Sequence, residues 1–135
     1  MYIFPHVHMR CPMKDLTNLY KLLSDDTRLR MMLLLYKQDL CVCQISGVLQ
    51  VPQPRVSKNL AKLRDLNLVA DWRHEKFIYY RLKTDKAILL QTLELILSNI
   101  AMYPQIQSDL NRLADKDQYT ATLGDAPPEN PGGLK

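Results

Sequence analysis

Apolar residues recur along this chain at two periods, and the change between them divides it. Leu16, Leu19, Tyr20 and Leu23 fall at helical spacing, and the "SDDT" that follows supplies a cap and an acidic first turn for a second helix. That helix is expected from Thr27 to about Tyr36, with Leu29, Met32, Leu33 and Tyr36 on one face. "DLCVCQIS" leads into a short helix, Cys43 to Leu49, which "QVPQP" breaks, and Pro54 suits the first turn of the next helix. Val56, Leu60, Leu63 and Leu66 form the buried stripe of that helix, while Arg55, Ser57, Lys58, Asn59 and Lys62 lie largely off it. Then the period changes. "LVADW" and "FIYYRL" are β-branched and aromatic runs joined by the polar "RHEK", which predicts a two-stranded hairpin. From about Asp85 a long helix returns with Leu89, Leu93, Ile96, Ile100 and Tyr103 on one stripe, and Leu90 and Leu97 widen it beyond what one small domain covers. Pro104 is expected to kink or end it, with a short helix from Gln105 to Leu113 beyond.

These elements predict a mainly α-helical fold with a small β-hairpin. The expected organisation is an N-terminal arm over 1–14, one domain over 15–113 and a disordered C-terminal tail over 114–135, which ends in the Pro- and Gly-rich "TATLGDAPPENPGGLK". At 135 residues, 47% hydrophobic and 24% charged, the chain has the composition of a soluble globular protein able to bury a core. No apolar run approaches the ~18 residues that span a bilayer, and the first residues lack the pattern of a secretory signal. Three unevenly spaced cysteines argue against a disulfide framework and for a reducing cytoplasm.

Charge sharpens the picture. The net charge of +4 is concentrated in residues 51–83, where eight Lys and Arg face Asp65, Asp71 and Glu75, while residues 114–135 carry a net −2. A positive segment of this kind suggests a polyanionic partner. Short helix, tight turn, second helix with a basic outer face, then a hairpin: this order predicts a winged helix-turn-helix, whose second helix fits the DNA major groove. Gln53, Arg55, Ser57, Lys58 and Asn59 fall near the N-terminal end of that helix, where base edges are reached. Arg55 suits guanine and Asn59 adenine; Ser57 and Lys62 equally suit phosphates. Arg73, His74 and Lys76, at the hairpin tip, are placed on the DNA backbone or minor groove. No nucleophile–base pair, phosphate loop or catalytic carboxylate pair is visible, which argues against an enzyme.

"LYKLLSDDTRLRMMLLL", "DLCVCQISGVLQVPQPRVSKNLAKLRDLNLV" and "YYRL" together resemble the ArsR/SmtB family of metal-responsive bacterial repressors, over about Leu16 to Ile100. The resemblance implies a homodimer built on the first and last long helices, with Leu16, Leu19, Leu89, Leu93, Ile96 and Ile100 in the seam. It also implies recognition of an imperfect palindrome in operator double-stranded DNA of a resistance operon, and release by an inducer.

Cys41 and Cys43 are the candidate sensing residues. At i and i+2 on an intact helix they point to nearly opposite sides, so they converge only if one precedes the helix or the first turn is distorted. A helix N-terminus is expected to lower thiol pKa. "LCVC" is also the hallmark of the thiolate-sensing branch of the family. As(III) and Sb(III) prefer three sulfurs, and the position of the family's familiar third cysteine is held here by Ser46. Cys11, in the arm, is the remaining thiol, as in cadmium- and lead-responsive members. The resemblance thus implies a site of Cys11, Cys41 and Cys43 for As(III) or Sb(III), with Cd(II) or Pb(II) as the alternative inducers and a thiol-redox switch as a third reading. His6 and His8 are candidates to complete a tetrahedral cadmium or zinc site, although arm imidazoles are more often solvated. The family's zinc site on the last long helix is not expected, since that helix offers Asp85 and Glu94 but no histidine.

Overall fold

The computed structural model describes residues 12–83 and 85–121. His6, His8 and Cys11 lie outside the described residues, as do residues 122–135.

The order of elements is α1 (Pro12–Leu23), α2 (Asp26–Lys37), β1 (Leu40–Cys41), α3 (Val42–Leu49), α4 (Gln53–Asp65), β2 (Val69–His74), β3 (Phe77–Leu82), α5 (Ala87–Ser98), a 3-10 turn (Ile100–Met102), α6 (Pro104–Leu113) and α7 (Gln118–Ala121). The expected cap of the second helix is Asp25, whose side chain accepts from the Arg28 backbone N–H at 3.0 Å. Instead of a single buried face, α2 buries five consecutive residues, Met31 to Leu35, because helices and sheet surround it. Burying that run removes five large apolar side chains from water.

Helices α3 and α4 meet through a tight turn. Gln50 closes α3 in the left-handed conformation (φ 59°), the Val51 N–H donates to the Ser46 carbonyl at 3.2 Å, and the Ser46 hydroxyl donates to the Val51 carbonyl at 2.6 Å. Ser46 therefore serves the turn. Pro54 stands in the first turn of α4, where its missing N–H has no helical partner to lose. Val56, Leu60 and Leu63 are fully buried as expected, whereas Leu66, placed on the same stripe, is exposed past the helix end.

The sheet has three strands, not the two of a simple hairpin. Its order is β1-β3-β2, both pairings antiparallel, with Leu40 opposite Tyr80 and Cys41 opposite Tyr79. The hairpin turn is only Glu75–Lys76, tighter than "RHEK" suggested, and Glu75 takes a positive φ of 56° to make it.

Two expectations about the C-terminal half need correction. The stripe from Leu89 to Tyr103 is not one helix: α5 ends at Ser98 and a 3-10 turn precedes Pro104. A residue before proline is driven out of the α region, and Tyr103 obliges at φ −128°, ψ 79°, so the break comes before the proline itself. Residues 114–121, expected within a disordered tail, continue from α6 into α7, where Thr120 is buried and Tyr119 packs on the core.

Candidate nucleic-acid interface and thiol site

Burial of Val56, Leu60 and Leu63 turns the opposite face of α4 outward, leaving Gln53, Arg55, Ser57, Lys58 and Lys62 exposed. Asn59 differs. It is half-buried, and both ends of its amide are engaged: Nδ2 donates to the Arg55 carbonyl at 3.0 Å and Oδ1 accepts from Arg28 at 3.4 Å. Asn59, expected to read adenine, thus also braces the fold. In the wing, Arg73 is exposed and donates to the Glu75 carbonyl at 3.1 Å, Lys76 is exposed, and His74 turns its ring edge-on to Tyr79 with 6.5 Å between centroids.

Not all of the positive charge faces outward. Arg81 pairs with Asp39 at 3.2 Å and lies 4.7 Å over the Trp72 ring, and Arg64 pairs with Asp71 at 3.1 Å. Arg55, Lys58 and Lys62 on α4 and Arg73 and Lys76 in the wing are exposed.

The thiols straddle a change of backbone conformation. Cys41 ends β1 with extended angles (φ −94°, ψ 171°) and is the N-cap of α3, while Cys43 lies in the first helical turn. One thiol therefore precedes the helix, the condition under which i and i+2 can converge. Gln44 Oε1 accepts from the Cys41 N–H at 3.1 Å and steadies this junction. Cys41 is 1% exposed and Cys43 half-buried, and both pack with Phe77, Tyr79 and Trp72. Burial pushes the Cys41 thiol pKa up, outweighing hydrogen bonding from the Gln44 backbone; a net lowering by the helix N-terminus, expected from the sequence, is not what this thiol experiences. Burial also raises the Tyr79 phenol pKa, and the adjacent Cys41 side chain adds to the shift. The two groups approach each other without meeting hydrogen-bond geometry, and the Tyr79 hydroxyl has no hydrogen-bond partner among the described residues.

Cys43 touches the reading helix directly, since Gln53 Nε2 donates to its sulfur at 3.6 Å. Cys41, Cys43, Ser57, Lys76 and Phe77 line one open cleft between α3, α4 and the wing. Soft sulfur donors in a cleft of this kind fit a thiophilic ion. Among the described residues no group of three or more His, Cys, Asp or Glu is placed to hold a metal ion, so the described part of the site consists of two thiols.

Of the six residues expected in a subunit seam, Leu89 and Leu93 are 0% exposed within the single chain, and Leu19 is also buried there. They belong to the chain's own core, because the α5 stripe they occupy faces α2. Leu16, Ile96 and Ile100 are partly buried. Sequence reasoning missed Tyr79 and Gln44. Only β1, a strand too short to show any period, aligns Tyr79 with Cys41.

A model of the bacterial regulatory protein, arsR family, matches residues 25–71, from the α2 cap through the first residues of β2. An arsenic resistance transcriptional regulator of Pseudomonas putida is 43% identical over 82 residues, 58% of this chain and 62% of the relative, so the chain spans less than two thirds of that protein's length. A cadmium resistance transcriptional regulatory protein of Listeria innocua is 30% identical over 80 residues, 58% of this chain and 67% of the relative. Among solved structures, the antimony-specific transcriptional repressor AntR superposes with a TM-score of 0.58 at 27% identity, covering 78% of this chain and 98% of that one. With its winged helix-turn-helix in place, this chain belongs to the ArsR family of bacterial regulatory proteins.

Proposed function

We propose that this chain is a homodimeric DNA-binding repressor of a metal or metalloid resistance operon in the cytoplasm, released from its operator when As(III) or Sb(III) binds cysteine thiolates. The observation that carries this reading is the 3.6 Å contact between Cys43 and Gln53, which ties the thiol pair to the first turn of α4. The names of the arsenic, cadmium and antimony regulators among its relatives support it. Cys11 is proposed as the third ligand.

The chemistry required of the chain follows from its geometry. Cys41 and Cys43 must each lose a proton and turn their sulfurs toward one point, Cys41 from its extended N-cap and Cys43 from the first turn of α3. Cys43 then changes its relation to Gln53, and Gln53, a candidate DNA contact, moves with it. Ser57 and Lys76 line the same cleft, so an occupied thiol site and a phosphate compete for neighbouring groups. A bound soft ion supplies the electrophilic centre that the thiolates share. A coupling of about 1–3 kcal/mol gives ~5–150-fold weaker DNA binding, and a nearly complete switch needs roughly 5.5 kcal/mol.

Operator binding titrated against arsenite, antimonite, cadmium, lead and zinc tests the reading. Cys41→Ser and Cys43→Ser are expected to bind DNA normally and ignore the inducer, and a wild-type response in both would sink the thiolate reading. If a dimer neutralises about six to eight phosphates, log K falls against log salt with a slope of roughly −5 to −7; a slope near zero removes the DNA reading. Strong release by cadmium or lead with none by arsenite would select the alternative inducers at the same thiolates. Release by peroxide alone would select the redox reading.

A further inference from the structure

The two candidate thiolates differ in what is at hand to satisfy a negative sulfur. Cys43 already receives the Gln53 amide. Cys41 has the Gln44 backbone N–H and a further neighbour. Its Cα partner across the sheet is Tyr79, so the two side chains stand on the same face. Tyr79 is 3% exposed, and its hydroxyl, pressed against the Cys41 side chain, is without a hydrogen-bond partner among the described residues.

A buried hydroxyl left unpaired destabilises a fold, and a phenylalanine here would fill nearly the same space without that penalty. The other charged group acting on Tyr79, the Asp117 carboxylate, accepts from the Gln44 amide at 3.5 Å and from Lys116 at 3.3 Å, while the Gln44 oxygen accepts from the Cys41 N–H. The phenol is therefore a donor with no acceptor in the thiol form of the site. It gains one when the adjacent sulfur becomes an anion.

We propose that Tyr79 is a positioning residue for the Cys41 thiolate, donating its O–H to that sulfur in the ion-bound state. This rests on the thiolate-sensing function proposed above. The Cys41 S–H proton leaves to solvent as the sulfur binds the ion, while the Tyr79 proton stays on its own oxygen and no electrons are transferred. The mismatch in the ion-free state and its relief in the bound state bias the equilibrium toward occupation. Tyr79 is fixed on β3, so it anchors Cys41, whereas the donor to Cys43 belongs to the mobile partner of the switch, the reading helix.

The test uses the full chain and arsenite alone, with Tyr79→Phe, Cys41→Ser and the double variant. Tyr79→Phe is expected to be at least as stable as wild type to urea without arsenite. It should bind arsenite about ten- to a hundredfold more weakly, the effect of one hydrogen bond to a charged group. The sulfur-to-ion charge-transfer band should move to lower energy, because an unbonded thiolate holds its electrons less tightly; a purely structural role would not shift it. In the Cys41→Ser background the same change should cost nothing further. Wild-type arsenite affinity in Tyr79→Phe, an equal loss in the Cys41→Ser background, or lowered stability without arsenite would each overturn the proposal. Wild-type affinity in Cys41→Ser would instead overturn the thiolate reading itself.

Discussion

Cys41 and Cys43 sit two residues apart and yet live in different solvents. Cys41 is enclosed by Phe77 and Tyr79, while Cys43 opens onto the cleft beside Gln53. Since thiolate is the reactive form and burial disfavours it at Cys41, iodoacetamide should modify Cys43 well before Cys41 in the ion-free protein. Peptide mass spectrometry over a time course reads this, and equal rates at the two sites would contradict the burial described. The same shift has a consequence for stability. The Cys41 pKa is raised on folding, so its contribution is fully present below the unfolded value of about 8.5 and is lost as pH rises through the folded value. The urea midpoint should accordingly decline above roughly pH 8.5, with a slope of at most about 1.4 kcal/mol per pH unit from this one proton. Cys41→Ala should remove that part of the decline; an unchanged profile would assign it to another group.

At the scale of elements, α3 is held at both ends and from the side. Its N-terminus holds the thiols, its C-terminus leads into the reading helix, and the C-terminal elements brace it from the side. Arg30 forks onto the buried carboxylate of Asp109 at 2.8 Å through each of two nitrogens and donates to the Leu49 carbonyl at 3.0 Å. Arg112 joins Asp109 at 2.9 Å and donates to the Val48 carbonyl, so α6 caps the end of α3. Asp109→Asn should cost about 2–4 kcal/mol in urea denaturation, as expected when two largely buried guanidinium groups lose their carboxylate; a loss under 1 kcal/mol would mean that the arginines hold α3 without it. Tyr119 of α7 packs onto Gly47, where a Cβ would lie 2.2 Å from the ring. Gly→Ala inside a helix ordinarily stabilises by roughly 0.5–1 kcal/mol. Here Gly47→Ala should destabilise by about 1–3 kcal/mol through overpacking, and Tyr119→Ala should restore the usual sign. Additive effects of the two changes would refute the contact.

That bracing shows where the sequence stops speaking. Helices α2 to α4 and the hairpin were readable because each carries a signal of its own: Asp25 as a cap, Pro54 at a helix start, alternation in "FIYYRL". Strand β1 has two residues and no periodicity, so the pairing that sets Tyr79 beside Cys41 could not be seen. Tyr119 and Thr120 are isolated core residues in a polar stretch, and only the tertiary fold gives them a partner. The break at Asn99 carries no such local signal, because the constraint Pro104 places on its predecessor reaches Tyr103 and not the end of α5. The thiol pair was legible as a candidate, but the raised pKa of Cys41 was not, because burial outweighs the helix terminus that the local sequence displays.

For the whole molecule, the proposed dimer turns on which surface a second copy would cover. An apolar stripe on α5 was legible, yet the stripe has two edges. Leu89 and Leu93 are spent on the chain's own core, while Leu95 is 66% exposed and Ile88, Met102 and Tyr103 also face outward. Met13 and Tyr20 are exposed on α1, and Leu16 and Ile88 share an open apolar cleft between α1 and α5. Several large exposed apolar residues on two adjoining helices mark an association surface more than a solvent face. The proposed dimer therefore uses the outer edge of α5 with α1, and this separates two substitutions that would look equivalent in the sequence. Leu93→Asp buries a carboxylate with no partner inside one subunit and should unfold it. Leu95→Asp leaves the subunit core untouched, so its helical circular dichroism should survive, while a charge in the seam should turn the dimer into monomers by sedimentation. Because a palindrome is bound by two reading helices in fixed register, that monomer should also lose most of its operator affinity while keeping nonspecific binding per subunit. A Leu95→Asp variant that sediments as a dimer and binds the full operator would move the seam elsewhere. A folded, dimeric Leu93→Asp variant would show that the stripe on α2's side is not the core it is described to be.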